Sequence, residues 1–122
     1  TALGRPCPPV DVIPGGCDRG RFFPDPDPGL RRRLGIPADG VIVLTAATGE
    51  PGERLDHVAE AVRRLADHLP VYGVFVGPAA DRQPAGERFR SLGAVGDDEL
   101  RRAYSTCDAY VHWPAADGFG LA

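Results

Sequence analysis

The apolar positions of this chain fall into five short runs and two helical stripes, and their order describes a layered sheet. Val41-Ile-Val-Leu-Thr-Ala-Ala47 is an unbroken apolar run of strand length, the pattern of a central strand covered on both faces. Val71 to Val76 is a second buried run ending at Gly77, and Phe89 to Leu92 is a third, shorter one. Tyr110 to Trp113 is a last run of β-formers, stopped at Pro114, which has no N–H to give to a central ladder. Far upstream, Val10-Asp-Val-Ile13 alternates with period two and predicts a short strand, ended by the turn Pro14-Gly15-Gly16.

Between the strands lie the helices. From Arg54 to His68, Leu55, Val58, Ala59, Val62, Leu65 and Ala66 recur on one face, and Pro70 breaks the pattern. Asp97, Asp98 and Glu99 open a helix that runs to about Thr106, where acids suit the positive end of its dipole. Leu100, Ala103 and Tyr104 should face inward. A shorter helix, Gly29 to Leu34, follows the rigid connector Asp25-Pro-Asp-Pro28 and is closed by Gly35. The remaining stretches, 1–8, 36–40, 48–53 and 78–87, read as loops. This alternation predicts an α/β domain spanning 1–122: an open parallel sheet with helices on both faces.

Ligands of such sheets bind beyond the carboxyl ends of the strands. Those ends are Thr48–Glu53, Gly77–Asp81, Gly93–Val95 and Pro114–Gly120, which are expected to line one crevice. The last of them is the richest in chemistry. Asp117 can accept hydrogen bonds from hydroxyls, and the Gly118-Phe119-Gly120 run can bring backbone N–H groups close to an anion or a hydroxyl. The combination suits a polar, phosphorylated ligand. A plain strand-to-helix turn would carry the same residues.

Composition narrows the partners. All fourteen basic residues are Arg, and with Gly 16 and Pro 13 this reads as GC-rich coding bias. A formal charge of −3 gives no support for nucleic acid or an acidic membrane as partner. The Arg31-Arg32-Arg33 run reads as a solvated helix face. Cys7, Cys17 and Cys107 are widely spaced and odd in number, which points to reduced thiols in a cytoplasmic protein, with Cys107 a small buried apolar group. No apolar run approaches membrane-spanning length. Met is absent even at residue 1, so the expectation is a piece of a larger protein.

With these loops in view, the chain resembles the carboxy-terminal, Rossmann-like domain of the retaining glycosyltransferases of family 4, which have the GT-B fold. Val12-Ile-Pro-Gly-Gly-Cys-Asp18 with Phe23-Pro24 is similar to the family's V-I-P-N-G-V-D…F-x-P, and Arg33-Leu-Gly-Ile-Pro37 carries the L-G-I-P of the family's R-x-L-G-I-P. Leu92-Gly-Ala-Val95, Asp98-Glu-Leu100, Tyr104 and Asp108 are similar to F-L-G-x-V…D-E-E-L…Y…A-D. Pro114…Asp117-Gly-Phe-Gly-Leu121 is similar to P-S-x-x-E-G-F-G-L. The resemblance implies a nucleotide-diphosphate sugar as donor substrate, with no metal and no further cofactor, and transfer of a hexosyl-type sugar. Its other half, an amino-terminal Rossmann domain carrying the acceptor site, would be the missing partner, so this piece alone should not catalyse. By position, Gly93, Ala94 and Val95 would meet the base through backbone groups, Asp117 would touch the donor sugar, and Gly118, Phe119 and Gly120 would offer amides to sugar or phosphate. The ribose-binding acid of the family would fall three residues beyond Ala122.

One departure bears directly on function. The family commonly carries an Arg and a Lys after its first central strand, which neutralise the departing diphosphate. Here those positions are Thr48 and Glu53. Arg54 stands one residue off and Arg82 lies in the next loop, while Glu50 and Glu53 would repel phosphate; a like-charge contact at 4 Å costs about 1 kcal/mol even in water. Either the phosphate site is rebuilt with Arg54 and Arg82, or the domain is a non-catalytic structural or interaction module. A sugar-nucleotide epimerase of similar fold is a third reading. The remaining candidates have plain alternatives: Asp117 as a turn or N-cap residue, Arg54 as an exposed first-turn residue, His112 as a packing group near a strand end, His57 and His68 as solvated, and Trp113 as a core or interface residue rather than a stacking platform.

Overall fold

The computed structural model describes residues 8–82 and 86–113, together with Gly4 and Pro6. Four strands, β1 (Val41–Ala46), β2 (Val71–Val76), β3 (Phe89–Gly93) and β4 (Ala109–Tyr110), form an all-parallel sheet in the order β3-β2-β1-β4. Helix α1 (Leu30–Arg33) precedes the sheet, α2 (Leu55–Leu65) joins β1 to β2, and α3 (Asp97–Thr106) joins β3 to β4. A single 3-10 turn, Ala80–Arg82, follows β2. The arrangement is α/β and Rossmann-like.

β1 is central because its neighbours need both of its edges. It pairs with β2 from Val41↔Val71 to Ala46↔Val76, and with β4 through Val43↔Ala109 and Leu44↔Tyr110. Its side chains alternate between two covered faces. Val43 and Ala47 pack with Ala59 and Val62 of α2 and with Phe75 and Phe89. Ile42 and Leu44 pack on the other side with Val74, Val76 and Ala103, flanked by Leu100 and Tyr104 of α3. A strand with both faces buried needs no polar alternation, which is why its sequence reads as a continuous apolar run. Burying a side chain such as Phe75 contributes about 1.5–3 kcal/mol.

At their carboxyl ends the strands are joined by loop backbone. Ala47 N–H donates to Val76 O at 2.7 Å, Ala79 N–H to Ala47 O at 2.9 Å, and Gly77 N–H to Gly93 O at 2.8 Å. Gly77 is at φ +126°, and a Cβ there would lie 2.5 Å from Ala47 O. At the opposite end, Asp108 Oδ2 accepts from Ile42 N–H at 2.8 Å and from Arg31 Nη2 at 2.9 Å. Arg31 also donates to Gly40 O at 3.3 Å, so it braces the sheet instead of lying on a solvated face. Arg33 pairs with Asp27 at 2.6 Å, which leaves Arg32 closest to the expected reading.

The segment before α1 is bound along α3. Asp25 N–H donates to Ser105 Oγ at 2.9 Å and Asp27 N–H to Thr106 Oγ1 at 2.8 Å. Arg101 pairs with Asp25 at 3.1 Å and lies over the Phe23 ring at 4.4 Å. Phe22 meets Tyr104 edge-on at 6.4 Å.

Three expectations need correction. Val10–Ile13 forms no strand: it has no ladder partner among the described residues, and Val10, Val12 and Ile13 are 78%, 90% and 87% exposed. The last strand is Ala109–Tyr110, earlier than Tyr110–Trp113, because Asp108 anchors its start to Ile42; Trp113 stands 58% exposed, outside the core. Leu65, counted on the inner face of α2, is exposed because it forms the helix's last residue, beyond the core-facing Val58, Ala59 and Val62. No helix among the described residues is long and apolar enough to cross a membrane.

Two substitutions test this account. Gly77→Ala should destabilise the fold by about 1–3 kcal/mol, from backbone strain and the clash with Ala47 O. Asp108→Ala should cost about 1–3 kcal/mol by leaving Ile42 N–H without its acceptor. Chemical denaturation of each variant beside wild type measures both.

Candidate functional site

The carboxyl end of β1 leads into a loop shaped by two glycines in the left-handed region, Gly49 at φ +85° and Gly52 at φ +91°. That path turns the chain back so that the Glu53 side chain reaches the loop's own start. Glu53 Oε1 accepts from Thr48 N–H at 2.7 Å and from the Thr48 hydroxyl at 2.5 Å, and Oε2 accepts from Gly49 N–H at 3.0 Å. Thr48 Oγ1 in turn accepts from Glu50 N–H at 3.3 Å. Partial burial works against the Glu53 charge. The hydrogen bonds from the Thr48 hydroxyl and the Thr48 and Gly49 amides, with the field of His112, outweigh it and hold the carboxyl below its usual range.

Arg54, the residue before α2, does not face that carboxylate. Its guanidinium is bidentate on Asp56, Nε to Oδ1 at 3.1 Å and Nη2 to Oδ2 at 3.0 Å, and Nη2 also lies 2.8 Å from His57 Nε2. The Arg54 hydrogen bond holds the Asp56 carboxyl down at about 2, against the opposing effect of burial. On the other ring nitrogen, Trp113 Nε1 donates to His57 Nδ1 at 3.0 Å. Arg and Trp can only donate, and a neutral imidazole has one acceptor nitrogen, so these two contacts compete for one lone pair. His57 therefore accepts from one of Arg54 and Trp113 at a time in its neutral form, and is not simply solvated.

In the strand order, β1 and β4 are neighbours whose connecting helices, α2 and α3, cover opposite faces, which makes the gap between them the switch point where ligands of such sheets bind. Here that gap is narrow. Thr45 Oγ1 donates to Val111 O at 2.6 Å and Arg54 N–H to Trp113 O at 3.3 Å. The space lined by Thr45, Glu53, Arg54, His112 and Trp113 is only about 10 Å³, room for a water at most. A larger cavity of about 230 Å³ is lined by Glu50, Glu53 and Asp56 together with Ala79 and Arg82.

The structure thus brings together only part of the expected crevice. Thr48 lies in the loop, committed to Glu53, and the loop after β2 contributes Ala79 and Arg82. Gly93, at φ +67°, directs its N–H to Ser91 Oγ at 3.2 Å and its carbonyl to Gly77, while Ala94 is exposed and Val95 packs against the α3-side core. These three stand at the far end of the sheet from β4 and do not line the cavity. Asp117, Gly118, Phe119 and Gly120 lie outside the described residues. The bonding of Glu53 to Thr48 went unseen in the sequence, where Glu53 reads only as a charge facing phosphate. Its signal is the pair Gly49 and Gly52 between a hydroxyl and an acid five residues apart.

The effect of the Glu53 contact on stability has a definite sign. A carboxyl held below its ordinary 4.5 stabilises the fold above that pH, and the contribution is lost as pH falls through the lower, folded value. Glu53→Gln should therefore lower stability near neutral pH by about 1 kcal/mol, the figure for a charged hydrogen-bonded group discounted for solvent screening. The gap to wild type should narrow as pH falls below 4.5, read from denaturation midpoints across pH.

No protein-family model matches the chain. Over 91 residues it is 33% identical to the D-inositol 3-phosphate glycosyltransferase of Acidothermus cellulolyticus, a match covering 70% of this chain. The matched part spans about a fifth, 20%, of that protein's length. Together with the parallel sheet, this similarity supports a glycosyltransferase-like domain.

Proposed function

We propose that the chain is the donor-binding part of a retaining glycosyltransferase of the GT-B kind, taking a nucleotide-diphosphate sugar and transferring a hexosyl-type unit to an acceptor held mainly by another domain. The observation that carries this reading is the similarity to a glycosyltransferase over most of the chain. The sheet agrees with it, since the loops after β1 and β2 face outward at the carboxyl end, where such sheets bind nucleotides. In this reading Gly93, Ala94 and Val95 meet the base, Asp117 contacts the sugar, and Gly118, Phe119 and Gly120 offer amides to it. The departing diphosphate calls for positive charge. Arg82, which lines the same cavity as Glu53, supplies it in place of the Arg54 guanidinium, which is held by Asp56.

A second reading has its own support. With Glu53 seated in the loop amides, the domain also suits a non-catalytic module that keeps the fold and has lost the phosphate site. Calorimetric titration of the intact protein with UDP, GDP and ADP separates the two. Saturable binding of one nucleotide at micromolar strength is the expected result and identifies the base. Absence of binding by all three would overturn the donor-site reading and favour the module.

A further inference from the structure

We propose that the Thr48–Glu53 loop is an oxyanion-binding nest that holds its own Glu53 carboxylate where an external phosphate would sit, so that the chain blocks this part of its crevice. The inference rests on the reading of this crevice as phosphate-facing, and its primary readout is pyrophosphate at two named amides. The donor set is the basis. Two successive backbone amides, Thr48 and Gly49, and the Thr48 hydroxyl converge on one carboxylate at 2.5–3.0 Å. Successive N–H groups presented through a left-handed residue form a concavity that suits carboxylate and phosphate oxygens alike. The loop stands at the carboxyl end of the central strand and opens on the cavity that Arg82 borders.

Geometry also explains why the internal anion prevails. Glu53 is five residues from Thr48 in a loop with short reach, so its carboxylate is present at an effective concentration on the order of millimolar or above. Any free anion must displace it. Glu50 and Asp56, which line the same cavity, add like charge against an incoming phosphate. Opening the nest requires Glu53 to leave or to lose its charge. The tethered carboxylate is thus an intramolecular competitor, and the affinity of the site for phosphate is set by how readily it swings out.

The test follows the Thr48 and Gly49 amide resonances of the 15N-labelled intact protein during titration with inorganic pyrophosphate. In Glu53→Ala and Glu53→Gln these resonances should shift saturably, at pyrophosphate concentrations at least tenfold lower than in wild type. Equal response in wild type and variants, or no response at these amides in either folded variant, would overturn the proposal. Should both variants fail to fold, wild type is titrated with sulfate, which stays anionic in acid, from pH 7 down to the lowest pH at which the fold persists. A response at the two amides that strengthens as pH falls supports the internal competitor; a response independent of pH overturns it. If pyrophosphate binds the variants but no nucleotide binds wild type, the nest stands and the donor reading falls. If a nucleotide binds wild type while these amides remain unmoved in every variant, the nest falls alone.

Discussion

Parallel pairing along both edges of β1 is the constraint from which the rest of this domain follows. With β2 on one side and β4 on the other, neither edge of β1 is free, and its side chains must be covered above and below. The covering requires α2 and α3 on opposite faces, which in turn separates the two connections and creates the switch point at the β1 and β4 ends. The loop backbone bonds among Ala47, Val76, Gly77, Ala79 and Gly93 then hold the carboxyl ends in a fixed array. Functional groups on those ends are set by the ladder rather than by the loops' own preferences.

On that array, electrostatics decides what the crevice can accept. The described residues at the β1 end present a seated carboxylate, two further acids, and one guanidinium around one cavity. The other nearby guanidinium, Arg54, is committed to Asp56, and His57 sits between it and Trp113. Similarity to a glycosyltransferase and departure from a cation-rich phosphate site therefore coexist in one domain. They are reconciled if the loop keeps its anion-accepting shape while an internal group fills it.

Much of this architecture could be read from residue order. The apolar run Val41–Ala47, the stripe of α2 and the acids opening α3 each imply one environment, so β1, β2, α2 and α3 fall where expected. Val10–Ile13 misleads because alternation states only that two faces differ; it does not supply a neighbouring strand to bond with. Arg31 misleads because a run of like charges looks solvated until the partner, Asp108, arrives from 77 residues away. The site was legible in part. Loop positions follow from strand ends, but the direction of a side chain within a loop depends on glycine dihedrals such as those of Gly49 and Gly52, and that direction decides whether Glu53 faces a ligand or its own backbone.

The binding of residues 21–27 along α3 has a consequence for how the domain assembles. Its contacts, Asp25 to Ser105 and Asp27 to Thr106, join positions about eighty residues apart in the chain. Loop closure of that length is entropically unfavourable until the intervening sheet has shortened the path. During synthesis the leading segment emerges first yet must wait for α3, the last helix described, before it has a surface to rest on. The order of translation and the order of docking are reversed. The segment is thus a strap that can close only after the sheet and α3 it rests against have formed.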